Sequence, residues 1–198
     1  MKKTTLVALT GGIGSGKTTA LNIIKDLGFS VISCDLITHA LYKKQWFLRK
    51  VKRLFPLAIN GKIILKVDKC EISKQVFSDK EKHKKLSNLI TPLILGKALK
   101  KARKKSGLVF IEVPLLFENK LQSLFDFIVV ILRDIESRIN SVINRSKLTR
   151  DEVLSRIANQ FDYDKLGDVS SSNVIKIYND GDETRLKLQI NSFINSLN

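Results

Sequence analysis

Leu9-Thr10-Gly11-Gly12-Ile13-Gly14-Ser15-Gly16-Lys17-Thr18-Thr19 is the stretch from which the rest of the chain is read. Gly11 to Thr18 satisfies G-x-x-x-x-G-K-[ST], and it lies between an apolar run at residues 5–10 and a helical stretch at 18–27. That strand–loop–helix setting is what separates a phosphate cradle from an ordinary Gly-rich turn. Gly12, Ile13, Gly14, Ser15 and Gly16 are expected to bring successive backbone N–H groups around phosphate oxygens, reinforced by the partial positive charge of the helix start. Lys17 is expected to reach the outer phosphates, Thr18 to offer its hydroxyl to Mg²⁺, and Thr19 to belong with them to the nucleotide-binding set.

Working outward, apolar runs at residues 5–10, 30–34, 108–113, 127–132 and 174–178 read as buried strands alternating with helices, including 18–27 and 183–197. Alternation of this kind predicts an α/β fold: a three-layer P-loop NTPase architecture on a five-stranded parallel sheet. At 198 residues the chain fits a single domain, 1–198. Strand spacing is uneven. About 70 residues separate the second and third runs, which predicts a helical insertion at 36–106, and a polar helical region at 134–166 reads as a lid. Within the insertion, residues 97–105 hold six cations and no acid beside Ile90, Leu93, Ile94, Ala98 and Leu99. Either a solvated helix face or a phosphate-facing surface fits that pattern.

A net charge of +16 favours polyanions such as nucleotides, CoA derivatives or nucleic acid, without choosing among them. Cys34 and Cys70 have neither disulfide-framework nor metal-ligand spacing, which fits a reducing cytoplasm. The Lys-led start resembles a secretory signal only until its apolar stretch stops at Thr10-Gly11-Gly12. Nowhere is there the run of about 20 apolar residues that crosses a bilayer. No membrane partner and no stable nucleic-acid partner are expected, since Tyr42, Trp46 and Phe47 do not make an aromatic–basic platform for bases.

The cradle is shared by GTPases, ATPases and kinases. Asp164-Lys165-Leu166-Gly167 fits the D-x-x-G of a GTPase, but no N-K-x-D follows it. Asp35 stands at the end of the second strand, expected beside the cradle strand, where its carboxylate either orients an attacking hydroxyl or caps the helix at 36–41. Glu112 ends the third strand, where an acid can hold Mg²⁺ through water, and Glu118 either orients substrate or takes a cap or salt bridge. His39 and His83 have no partner spacing.

Taken together these residues resemble the dephospho-CoA kinase family over nearly the whole chain. The P-loop, Val31-Ile32-Ser33-Cys34-Asp35, Val76-Phe77, Pro92-Leu93-Ile94, Pro114-Leu115-Leu116-Phe117-Glu118, Arg156-Ile157-Ala158-Asn159-Gln160 and Asn179-Asp180-Gly181 come in the family's order. The resemblance implies ATP- and Mg²⁺-dependent phosphorylation of the ribose 3′-hydroxyl of dephospho-CoA, the last step of CoA biosynthesis. It implies catalytic roles for Lys17, Asp35 and Arg145, a nucleotide contact at Asn179, and a CoA-side insertion. The chain departs from the family's usual residues at Ser33 (Asp), His39 (Arg), Lys69 (Arg), Thr91 (His), Arg138 (Gln) and Ser141 (Arg).

Overall fold

The structure is a computed structural model that describes residues 4–146, 148–168 and 173–197; residues 1–3 of the opening stretch and residue 147 of the expected lid lie outside the described residues. In chain order the elements are β1 (Thr4–Thr10), α1 (Lys17–Asp26), β2 (Ser30–Ser33), α2 (Cys34–Tyr42), α3 (Gln45–Leu54), β3 (Ile59–Asn60), β4 (Lys66–Val67), α4 (Lys69–Ser78) and α5 (Lys80–Ala102). They continue as β5 (Gly107–Glu112), β6 (Phe127–Leu132), α6 (Ile135–Ser146), α7 (Arg150–Ala158), β7 (Val174–Tyr178) and α8 (Glu183–Asn195).

Residues 1–32 and 102–198 form one unit, built on a five-stranded sheet of order β2-β5-β1-β6-β7. β1 pairs in parallel with β5 (Leu9 opposite Glu112) and with β6 (Val7 opposite Phe127), and β6 pairs in parallel with β7. Val7 and Leu9 join one core cluster with Ile24 of α1 and Leu186, Ile190 and Ile194 of α8. Ala8, Ile111, Ile128 and Val130, which point the other way, are also buried. Burial on both faces is why these strands read as continuous apolar runs rather than as alternation. A smaller cluster of Ile139, Val142 and Val153 joins α6 to α7.

The strand order corrects one expectation. β2, which leads to Asp35, is not beside β1, because β5 lies between them. Neighbours in a parallel sheet are chosen by the crossover connections, not by order along the chain.

Ser33–Lys101 form a second unit around Leu41, Phe47, Leu48, Val51, Phe55, Ala58 and Ile59. α3 shows why the sequence folds this way. Phe47, Leu48 and Val51 make one buried stripe, while Arg49, Lys50, Lys52 and Arg53 stay exposed. The short β3–β4 hairpin was not visible in the sequence. The Gln45 side chain holds the residue just before β4, with Nε2 donating to Leu65 O (3.1 Å) and Oε1 accepting from Leu65 N–H (2.8 Å). The six cations of residues 97–105 are all exposed.

Candidate active site

β1 ends at Thr10 and releases the chain into the loop whose carbonyls the protein itself engages. Lys17 Nζ donates to the carbonyls of Gly11 (2.8 Å) and Gly12 (2.9 Å), closing the loop on its own cation. Arg138 Nε donates to Ile13 O at 3.0 Å, and Asn179 Nδ2 donates to Ser15 O at 2.8 Å. On the donor side, Ile13 N–H is accepted by Gln160 Oε1 at 2.7 Å. The carbonyls of Gly11, Gly12, Ile13 and Ser15 are thus all tied back to the protein's own side chains.

Gly11, Gly12, Gly14 and Gly16 all matter for their missing Cβ. A side chain at Gly12 would collide with the Arg138 guanidinium, and one at Gly16 would collide with Asn179 Nδ2. Gly16 also sits at φ 94°, a left-handed conformation that L-residues resist, and it opens α1 as its N-cap. Thr18 and Thr19 are exposed in the first turn of that helix. The Ser15 hydroxyl is buried and has no hydrogen-bond partner among the described residues. An unfilled buried acceptor beside a cradle that no Cβ could enter fits a phosphate-binding loop.

Beyond β5 the chain turns sharply through Pro114–Glu118, with Leu115 at φ 56°. Among the described residues Glu118 neither caps a helix nor pairs with a cation. Its Oε1 accepts Phe161 N–H at 2.7 Å, and its Oε2 is buried with no hydrogen-bond partner among the described residues. Phe117 stacks on Phe161 (centroids 4.7 Å apart), and Tyr163 meets both rings edge-on. The Tyr163 hydroxyl lies 3.5 Å from Thr10 Oγ1. Burial first, and the negative Glu118 second, push that hydroxyl up to about 12. The segment after α7 therefore fastens the 114–118 turn to the end of β1. Sequence reasoning did not single out Phe161 and Tyr163. Their only signal is two aromatics spaced two apart just after Gln160.

Glu112 is 4% exposed at the end of β5, opposite Leu9. Among the described residues no group of three or more His, Cys, Asp or Glu could hold a metal. A hydroxyl from Thr18 and a carboxylate from Glu112 are hard oxygen donors, a set that suits Mg²⁺ carried mainly by substrate phosphates rather than by a protein cage.

In the second unit, Asp35 is exposed in the first turn of α2. The capping alternative falls to a neighbour, because Ser33 Oγ accepts Leu36 N–H at 3.4 Å. His39 Nδ1 lies 3.3 Å from Lys69 Nζ, so two positions that differ from the usual residues meet each other. Ser141 accepts from Arg133 Nη1 at 2.9 Å. Arg145 is exposed in the last turn of α6. The structure thus brings together the P-loop, Arg138, Gln160, Tyr163 and Asn179, and it leaves Arg145 at the surface.

The dephospho-CoA kinase family model matches residues 5–183. A dephospho-CoA kinase of Carboxydothermus hydrogenoformans is 34% identical over 180 residues, covering 85% of each chain. The solved dephospho-CoA kinase of Campylobacter jejuni superposes with a TM-score of 0.65 at 27% identity, covering 97% of this chain and 96% of that one. A Thermus thermophilus crystal structure superposes over the full length of both chains, with a TM-score of 0.81 and 28% identity.

Proposed function

The chain belongs to the dephospho-CoA kinase family, and from that premise we propose that it transfers the γ-phosphoryl group of ATP to the ribose 3′-hydroxyl of dephospho-CoA. The observation that carries the reading is the pre-shaped P-loop, with Lys17 already held over its Gly11 and Gly12 carbonyls. In this reading the acceptor oxygen attacks the γ-phosphorus in line, the bond to the β–γ bridging oxygen breaks, and ADP leaves with that electron pair. The hydroxyl proton passes to the Asp35 carboxylate or through it to solvent.

Lys17 moves from the loop carbonyls to the β- and γ-phosphates, neutralising charge as it develops. Thr18, with Glu112 through water, would hold Mg²⁺, and the ion would supply positive charge against the charge that develops on the phosphates during transfer. Asn179 keeps the helix end of the loop in place. Arg145 and the 134–166 region serve as a lid that excludes water, since open water would convert transfer into ATP hydrolysis. Residues 36–106 contribute the CoA-side surface, and the protein acts in the cytoplasm. With no nucleophilic His or Cys in the P-loop set, transfer is direct rather than through a phosphoenzyme.

Purified protein with Mg-ATP, offered dephospho-CoA, nucleoside monophosphates, adenosine and RNA in parallel, should release ADP selectively with dephospho-CoA and yield CoA by mass. Turnover of another acceptor, or hydrolysis stimulated only by RNA, would keep the P-loop and discard the acceptor. Asp35→Asn should lower kcat by about a hundredfold or more while ATP affinity stays within about twofold, the pattern of a group that acts on the acceptor. Wild-type turnover in that variant would remove Asp35 from the mechanism.

A further inference from the structure

Arg138 and Glu112 are the two buried charged side chains among the described residues, at 7% and 4% exposure. A buried guanidinium is costly unless its donors are used and its charge has a purpose. Here the side chain leaves the first turns of α6 and crosses to the P-loop. Nε donates to Ile13 O at 3.0 Å, the guanidinium lies against Gly12, and the Arg138 backbone carbonyl lies against Gly14. The root of the helix is fixed as well: Asp134 Oδ1 accepts Ser137 N–H at 2.8 Å, and Arg138 N–H donates to Asp134 O at 3.1 Å.

The carbonyls of the loop fall into two groups by partner. Those of Gly11 and Gly12 are held by Lys17. Those of Ile13 and Ser15 are held by Arg138 and Asn179. When Lys17 turns to a nucleotide's phosphates, as the proposed function requires, Gly11 and Gly12 lose its ammonium, and the side-chain bonds that still hold the loop are those of Arg138 and Asn179 on its carbonyls and Gln160 on Ile13 N–H. We propose that Arg138 is a positioning residue for the P-loop, its guanidinium holding Ile13 and covering Gly12 so that the loop keeps its phosphate-receiving shape once Lys17 lets go. Its fixed positive charge also lies against the loop, where it favours a bound polyphosphate. The inference rests on the P-loop binding ATP but not on the identity of the acceptor.

Holding the loop equally in the ground state and the transition state is uniform binding, so loss of Arg138 acts on ATP affinity rather than on the chemical step. The test is calorimetric titration of Mg-ATP, without acceptor, into wild type, Arg138→Met and Arg138→Lys, with melting temperature and kcat at saturating substrates measured alongside. Arg138→Met should bind ATP about tenfold more weakly, with kcat within about threefold of wild type. Arg138→Lys should fall between the two, because an ammonium keeps the charge but cannot bond Ile13 and cover Gly12 together.

An ATP Kd within about twofold of wild type in folded Arg138→Met overturns the proposal, as does a loss shared equally by KM and kcat. If the Met variant does not fold, Arg138→Lys decides, and unchanged affinity there overturns it. Wild type that binds ATP yet leaves dephospho-CoA unconverted would defeat the acceptor assignment alone, and the ATP titrations would still decide Arg138.

Discussion

Tyr163 shows how one side chain can tie the site to the stability of the fold. Its ring closes the Phe117–Phe161 stack, and its hydroxyl reaches Thr10 at the end of β1. Burial pushes the hydroxyl up to about 12, so the native state keeps a proton that the unfolded chain gives up near pH ~10. The sign follows from that difference. The contribution is complete below about pH 10 and is lost as the pH rises through about 12, at up to about 1.4 kcal/mol per pH unit. Burial moves Tyr42 in the same direction, so both rings weaken the fold over that alkaline window. Urea unfolding at a series of pH values from about 9 to about 11 should show stability falling, with a shallower fall in Tyr163→Phe. An equal slope in the variant would mean that Tyr163 titrates alike in both states. At this scale the sequence was legible where contacts are local. The P-loop is one contiguous motif, so Lys17 and the glycines could be named from it. Gln160 lies 147 residues from Ile13 and Arg138 lies 125 from it, and no spacing rule links such pairs.

Among the elements, α2 depends on a small cap at a place where the family usually has an acid. Ser33 ends β2 and accepts Leu36 N–H, which fixes the first turn from which Asp35 projects. Removing the cap in Ser33→Ala should cost about 1 kcal/mol, whereas Ser33→Asp should keep or slightly raise stability, since Asp caps as well and its charge suits a helix N-terminus. Denaturant midpoints of the three proteins test the order, and Ala equal to Ser would show that the cap does not matter. If Asp35 acts on the acceptor, a frayed first turn in Ser33→Ala lowers turnover too. The central strands β1, β5 and β6 were legible because both of their faces are largely buried, and β2 and β7 because their short β-branched runs stand out even though β2 is only half-buried and Lys176 and Tyr178 are exposed. β3 and β4 were not, because two-residue strands carry no period and the Gln45 side chain that holds Leu65, just before β4, lies 20 residues from it. Strand order was hidden for a different reason: it is set by where the chain re-enters the sheet after residues 34–106, which no local pattern records.

Across the whole molecule, the positive charge is unequally shared between the two units. Residues 33–101 hold 17 basic and 5 acidic residues, a net +12 of the total +16, although they are little more than a third of the chain. Excess cations in one folded unit repel one another and weaken it, so a field of this size invites a function. In the proposed reading that unit receives dephospho-CoA, whose diphosphate makes it an anion. Charge at a distance acts on encounter and affinity, not on the chemical step, and salt screens it. Raising ionic strength from about 0.05 to about 0.5 M shortens the screening length from roughly 14 to roughly 4 Å. KM for dephospho-CoA should therefore rise several-fold while kcat stays nearly constant. Substituting a neutral osmolyte for the salt should leave KM unchanged, which separates screening from crowding. A KM insensitive to salt would mean that these lysines are a solvated surface and that the acceptor is held by short-range contacts alone. An equal fall in kcat would place the charge effect on the transferring phosphoryl group instead.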